Sequence, residues 1–193
     1  MRTPWGYDVE NLEPIISEVD FHERTSNAYI TNPRAYAAVL AASQAVRNYC
    51  GWHVAPSEDC TAHPEGGNYL LRLPAGYVSE ITSVTENGTA LSADAFEWRK
   101  DGLLRRPCRW SKKWDGIEVV YKAGYDIEAV PDIAEAVCAI AAGVLSVSAG
   151  VTSESADGVS ISYSQSASSI AAGLTGQQKS ALEAYKVVNA HGA

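Results

Sequence analysis

Hydrophobic and polar positions change period along this chain. From Asn32 to Cys50, apolar and aromatic residues recur at Tyr36, Val39, Leu40, Val46 and Cys50, which is helical spacing. Asn32 is a good N-cap and Pro33 suits the first helical position. Gly51 follows Cys50 directly, where a glycine after the helix takes positive φ at no steric cost, and Pro56 stops helix from resuming. The string AVRNYCGWHVAP at Ala45–Pro56 therefore predicts a helix stop beside a buried aromatic, Trp52. The period then falls to two: Ile117, Val119 and Tyr121 alternate with polar neighbours. Asn87-Gly88 is a two-residue hairpin signal, because a type I′ turn needs positive φ twice. Asp101-Gly102 is a second, and it would place Trp98 near Arg105 across the ladder. Ile81 and Val84 have opposite parity, so strand there rests on turn chemistry and β-propensity.

Helical period returns at Pro131, with Asp132 and Glu135 near the positive end of the helix dipole and a buried stripe of Ile133, Val137, Ile140, Ala141, Val144 and Leu145. Thr175-x-x-Gln178 is a capping box for a last helix anchored by Leu182 and Tyr185. The pattern predicts an α+β fold of three main helices, with a small antiparallel β-hairpin sheet inserted between the first and second. Between the last two helices lies Ser146–Gly176, rich in Ser, Ala and Gly and long for a compact domain. It reads either as a surface loop or as a segment that orders against a neighbouring subunit. Val159, Ile161 and Tyr163 alternate with serines there, so one strand is available to pair with an edge. The domain organisation expected is an acidic N-terminal extension over residues 1–31 and one domain over 32–193.

Composition narrows the class. The 193 residues are 46% hydrophobic, enough to bury a core, and no run of 18 apolar residues suggests a membrane span. The N-terminal MRTPWGYDVENLEP has no apolar core of a secretory signal, and the four unevenly spread cysteines read as thiols. The net charge is −8, which argues against general DNA coating. Yet residues 97–113 carry seven of the 15 basic residues (Arg99, Lys100, Arg105, Arg106, Arg109, Lys112 and Lys113), with Trp98, Trp110 and Trp114 close by. That combination suits a protein interface rich in Arg and Trp or a nucleic-acid stacking surface; it equally describes a solvated hairpin whose rings cover the core.

Cys50-x2-His53-x6-Cys60-x2-His63 offers the ligand types of tetrahedral zinc, but the six-residue gap is short. Cys50 also falls on the helical stripe, where a buried thiol is common. The reading is no metal and no cofactor: a core Cys, a packed or surface His and two loop residues. There is no Gly-x-Ser-x-Gly elbow, no Walker loop and no GxGxxG, so the expectation is a protein that is not an enzyme.

Several segments, in order, resemble a known family. They are CGWHVAP at Cys50–Pro56, LLRLP at Leu70–Pro74, ITSVTENGTAL at Ile81–Leu91, EWRKDGLLRR at Glu97–Arg106, IEVVYKAGYD at Ile117–Asp126, VPDIAEAVCAIAA at Val130–Ala142, SADGVSISYS at Ser155–Ser164 and LEAYK at Leu182–Lys186. Together they resemble the head–tail connector (adaptor) proteins of long-tailed phages and prophages, over about residues 32–186. The resemblance implies a structural virion protein of the neck, assembled in the host bacterial cytoplasm. Such a protein forms a homo-oligomeric, twelve-fold ring between the portal protein and the tail or a stopper/tail-terminator protein. DNA only passes through the channel, and no membrane is involved. Within that frame Val159, Ile161 and Tyr163 would form the oligomer interface, Leu182 and Tyr185 would dock on the portal, and Arg99, Arg105, Arg106 and Arg109 would form a partner-binding basic patch. The alternatives are a small zinc- or nucleic-acid-binding module, or another neck or tail-completion protein.

Overall fold

In the computed structural model, which describes residues 2–146, 153–156, 159–162 and 174–187, the chain divides into two units. The first comprises Met1–Glu13, Cys50–Ala129 and Tyr185–Ala193. Its larger sheet is built on the strand whose alternation is cleanest. Strand β8 (Ile117–Ala123) buries Ile117, Val119, Tyr121 and Ala123 and turns Glu118 and Lys122 outward. It pairs antiparallel with β2 (Glu58–Ala62) on one side and β4 (Val78–Glu86) on the other. β1 (Tyr7–Val9) extends the sheet beyond β2, and β5 (Thr89–Ala90) beyond β4, giving the order β1-β2-β8-β4-β5.

The mixed parity of β4 has a physical cause. Its register against β8 shifts between Ile81 and Ser83, where the extra residue of a bulge re-phases the strand. Ile81 then lies opposite Tyr121 and Val84 opposite Val119, two positions of one face. The β4–β5 turn has Asn87 at φ 52° and Gly88 at φ 81°, as a type I′ turn requires.

The second sheet has the order β3-β7-β6, with β3 at Leu70–Arg72, β6 at Glu97–Trp98 and β7 at Leu103–Arg105. The turn at Asp101-Gly102 is wider than a two-residue loop. Only Gly102 has positive φ (76°), and the Arg99 N–H donates to the Leu103 carbonyl at 2.9 Å. Trp98 therefore pairs with Leu104, and Glu97 with Arg105, one residue from the expected register. Across this unit Tyr7, Trp52, Leu71, Leu73, Leu104, Trp110, Ile117 and Tyr121 are the largest fully buried side chains. A Cβ on Gly76 would stand 2.9 Å from the Trp52 ring, so glycine lets the chain pass over the indole.

The second unit comprises Pro14–Tyr49 and Val130–Ala184. It holds α1 (Glu18–Arg24), nearly all of α2 (Ala35–Cys50), α3 (Pro131–Ser146), α4 (Gly176–Leu182) and a ribbon of β9 (Ser153–Ala156) paired antiparallel with β10 (Val159–Ser162). α1 begins with a capping box: Ser17 accepts from the Asp20 N–H, and Asp20 accepts from the Ser17 N–H. Phe21 stacks on Tyr29 at 5.6 Å between ring centroids, and Arg24 meets Glu135 of α3 at 2.7 Å.

The α+β class stands, but the layout differs from the expectation. Four helices, not three, occur among the described residues, and the strands between α2 and α3 form parts of two sheets rather than one hairpin inset. β1, from the segment before the first expected helix, is the edge strand of the larger sheet. Asn32 does organise the entry to α2, its side chain accepting the Arg34 N–H at 3.0 Å, though the helix itself begins at Ala35. The buried stripe of α2 is Ala35, Ala38, Val39, Ala42, Val46 and Cys50, whereas Tyr36 and Leu40 are exposed. In α3 the buried face is Ile133, Ala134, Ala136, Val137, Cys138 and Ala141, while Ile140, Val144 and Leu145 are half-buried. No helix among the described residues is long and apolar enough to cross a membrane.

Candidate functional site

The basic stretch divides into a held layer and a displayed layer. Arg106 belongs to the first. Its Nη1 donates to Glu86 Oε2 at 2.8 Å, the two side chains are only 10% and 17% exposed, and its guanidinium lies 4.6 Å from the centroid of buried Trp110. Glu86 also accepts the Ser111 N–H at 2.7 Å. Burial alone would raise the Glu86 pKa, but hydrogen bonds from Arg106 and Ser111, with the charge of Arg106, outweigh it and hold the carboxyl below its usual value. Trp110 and its neighbours are further tied to the β2–β3 loop: Gly67 N–H donates to the Trp110 carbonyl at 3.0 Å, and Trp110 N–H to the Asn68 carbonyl at 2.9 Å.

On this frame the remaining charges face outward. Arg105 meets Glu97 at 2.6 Å and Arg99 meets Asp101 at 3.1 Å, both pairs exposed. Arg109 is exposed and lies 5.4 Å from the Tyr69 ring centroid. Arg109, Lys112, Lys113 and Trp114 line a hollow of about 500 Å³ with His63, Glu65 and Asp115, and with Gly66, Gly67 and Asn68 of the β2–β3 loop. Trp114 is 84% exposed. Of the four arginines singled out from the sequence, Arg99, Arg105 and Arg109 thus lie at the surface while Arg106 is a framing residue. Lys112, Lys113, His63 and Trp114 complete the surface cluster, and the i, i+1, i+2 run of Lys112-Lys113-Trp114 was its signal in the sequence.

The last helix is held by its own subunit. Thr175 and Gln178 form the expected capping box. Leu182 is fully buried, and Tyr49 Oη donates to Glu183 Oε2 at 2.6 Å. In the first unit the Tyr185 carbonyl accepts the Trp52 indole N–H at 2.7 Å, its ring packs edge-on to Tyr125, and Val187 N–H donates to the Cys50 carbonyl. On the long loop, Val159 and Ile161 lie on β10 opposite Ala156 and Glu154, and β9–β10 pairs with no third strand among the described residues. Tyr163 lies outside the described residues.

The Cys and His of the zinc-like spacing occupy different environments. Cys50 is buried at the end of α2. His53 is fully buried: Nε2 donates to the Ala123 carbonyl at 2.9 Å, and Nδ1 is hydrogen-bonded to the Tyr7 hydroxyl at 2.8 Å. The same hydroxyl accepts the His53 backbone N–H at 3.0 Å. Cys60 lies on β2 rather than in a loop, and burial, with Glu58 and Asp59 nearby, pushes its thiol up to about 12. His63 is exposed, 3.9 Å from Glu118. No group of three or more His, Cys, Asp or Glu side chains suited to a metal occurs among the described residues.

A family model for the head completion protein matches residues 15–187, nearly the whole chain. The chain belongs to the head completion protein family. The likeness to phage head–tail connector proteins read from its motifs agrees with that membership. Two solved structures share the fold of this head completion protein family member. One is described as the neck of an empty GTA particle computed with C6 symmetry, 14% identical with a TM-score of 0.62, covering 97% of this chain and 98% of that one. The other is described as the neck of a native GTA particle computed with C12 symmetry, 15% identical with a TM-score of 0.59, covering 95% and 98%. No curated protein matches.

Proposed function

We propose that this protein is a structural component of a phage or phage-like neck, a head–tail connector that forms a ring between portal and tail. The family match over residues 15–187 carries this reading. The fold shared with chains of neck particles computed with six-fold and twelve-fold symmetry supports a ring of identical subunits, twelve in the simplest case. In such a ring each subunit offers one surface to the next, so the interface is heterologous and closes by rotation. The subunit supplies faces rather than chemistry.

The faces are assigned as follows. The ribbon with Val159 and Ile161, continued by Tyr163, reaches the neighbouring subunit. The last helix faces the portal. Because Leu182 is buried and Tyr185 is half-buried, Leu182 and Tyr185 set its position, and its exposed residues Gln177, Lys179 and Ala181 make the contact. Arg99, Arg105 and Arg109 face a protein partner on the tail side, with Arg106 shaping that face from below. The acidic excess suits a lumen through which DNA slides without adhering, since like charge discourages phosphate binding.

The test is assembly. Particles produced without this chain are expected to hold packaged DNA yet carry no tails, and adding the purified protein is expected to restore tail attachment. Tailed particles formed in its absence would remove the chain from the neck.

A further inference from the structure

The hollow between the β2–β3 loop and the segment before β8 is framed by a chain of polar contacts and lined by cations and an exposed indole. Its frame is fixed by the mostly buried Arg106–Glu86 pair, by Glu86 on the Ser111 N–H, by Ser111 Oγ on Asn87 Oδ1 at 3.1 Å, and by the two main-chain bonds that join Gly67, Asn68 and Trp110. A Cβ at Gly66 would stand 2.0 Å from the Ser111 carbonyl oxygen, so only glycine permits the two loops to close on each other. The frame displays three cations, Arg109, Lys112 and Lys113, and the most exposed large ring among the described residues, Trp114. At about 500 Å³ the hollow has the size of a site for one or two side chains.

We propose that this hollow binds an acidic peptide segment of a protein partner, one that inserts a large apolar side chain beside Trp114 and sets carboxylates on Arg109, Lys112 and Lys113. Trp and Arg are the residues that dominate interface energetics, and a Trp114 ring that is 84% exposed has a large apolar face to bury on binding. Nucleic acid fits less well. Glu65 and Asp115 stand among the cations and would meet phosphates at close range, whereas a peptide can offer donors to them and carboxylates to the lysines. This deepens the assignment of the basic stretch to a protein partner and rests on it; it does not depend on where in the particle the ring sits.

The experiment uses the full-length protein and fluorescein-labelled heptapeptides, three acidic residues on each side of a central Leu, Phe, Trp or Met. Controls are the same peptides with Gln and Asn for the acids, and a 20-nucleotide single strand and duplex of DNA, all read by anisotropy at one salt concentration. At least one acidic peptide is expected to bind, with Trp114→Ala and Lys112→Glu/Lys113→Glu each weakening it tenfold or more and the neutral peptides bound at least tenfold more weakly. These side chains are exposed, so the variants are expected to keep the wild-type melting temperature, and Arg34→Glu, an exposed position outside the lining of the hollow, is expected to bind as wild type does. Absence of binding by every acidic peptide, equal binding by the Trp114→Ala protein, or tighter binding of either DNA would overturn the proposal. Tail attachment measured in parallel separates the two readings: loss of peptide binding with tails still dependent on the protein sinks only the hollow.

Discussion

At the scale of single residues, the most consequential side chains are polar ones placed inside. His53 joins the edge strand β1 to the central strand β8 through Tyr7 and Ala123, with β2 lying between them. Tyr7→Phe deletes the oxygen that serves both Nδ1 and the His53 amide, and is expected to cost about 1–3 kcal/mol, read as a lower urea midpoint at unchanged slope. Gly124→Ala is expected to be worse. Gly124 has φ 106°, and an added Cβ would stand 2.5 Å from the Pro56 carbonyl oxygen and 2.7 Å from His53 Nε2. Glu86 gives the chain a pH dependence of defined sign. Its carboxyl titrates lower when folded than when unfolded, so it contributes stability above its unfolded pKa, and that contribution is lost as pH falls through the folded value. Glu86→Gln is expected to be less stable than wild type at neutral pH and to converge on it in acid, in thermal melts taken from pH 7 down to pH 3.

At the scale of elements, what the chain's pattern revealed was what is decided locally. Gly51 closes α2 at φ 79°, Pro131 opens α3, and Asn87-Gly88 turns β4 into β5 because each demand is met by one or two adjacent residues. The pairing of β3 with β7 rather than with its sequence neighbour, and of β1 with β2 across some fifty residues, leaves no such local trace. α1 was legible in principle from Ser17-x-x-Asp20, but at seven residues it has no apolar period to draw the eye. The apolar spacing of α2 marks the helix but not its buried face, because burial there does not follow side-chain size. Alanines Ala35, Ala38 and Ala42 pack inside, where a close approach needs small side chains, while Tyr36 and Leu40 remain outside. The candidate surface was only partly legible for the converse reason: a run of basic residues does not say which of them is spent on an internal carboxylate, and Arg106 is. The expected signature of that role is that Arg106→Ala destabilises the fold by about 2–4 kcal/mol, since it leaves Glu86 charged in a mostly buried place, whereas Arg105→Ala changes stability by less than about 0.5 kcal/mol. Chemical denaturation of the two variants side by side reads the difference.

At the scale of the whole molecule, the question is which parts of the chain serve the subunit and which serve an assembly. The two sheets of the first unit and the helices of the second each bury their own large side chains. The β9–β10 ribbon stands apart in kind. It is a two-stranded antiparallel ladder of four residues per strand, and such a pair is marginal in water unless a third strand or a packed face supports it. Its sequence, SESA and VSIS, alternates small polar residues with Val159 and Ile161 and supplies too little apolar surface to form a core. The support is therefore expected to come from a neighbouring copy, by strand addition or by burial of the Val159–Ile161 face. Deleting Ser153–Ser169 is expected to leave a monomer with an unchanged far-UV spectrum at 222 nm per helical residue and an unchanged unfolding midpoint, because its run of Ser, Ala and Gly offers little apolar surface for a core. The same protein is expected to fail to form rings by mass photometry and to fail to restore tails. A milder variant, Val159→Ser with Ile161→Ser, keeps the chain length and is expected to weaken assembly without abolishing the fold. If rings form at wild-type concentration with the segment removed, the ribbon is not the contact between subunits. The uncharged outer half of α2, with Tyr36 and Leu40 exposed, then becomes the surface to mutate next.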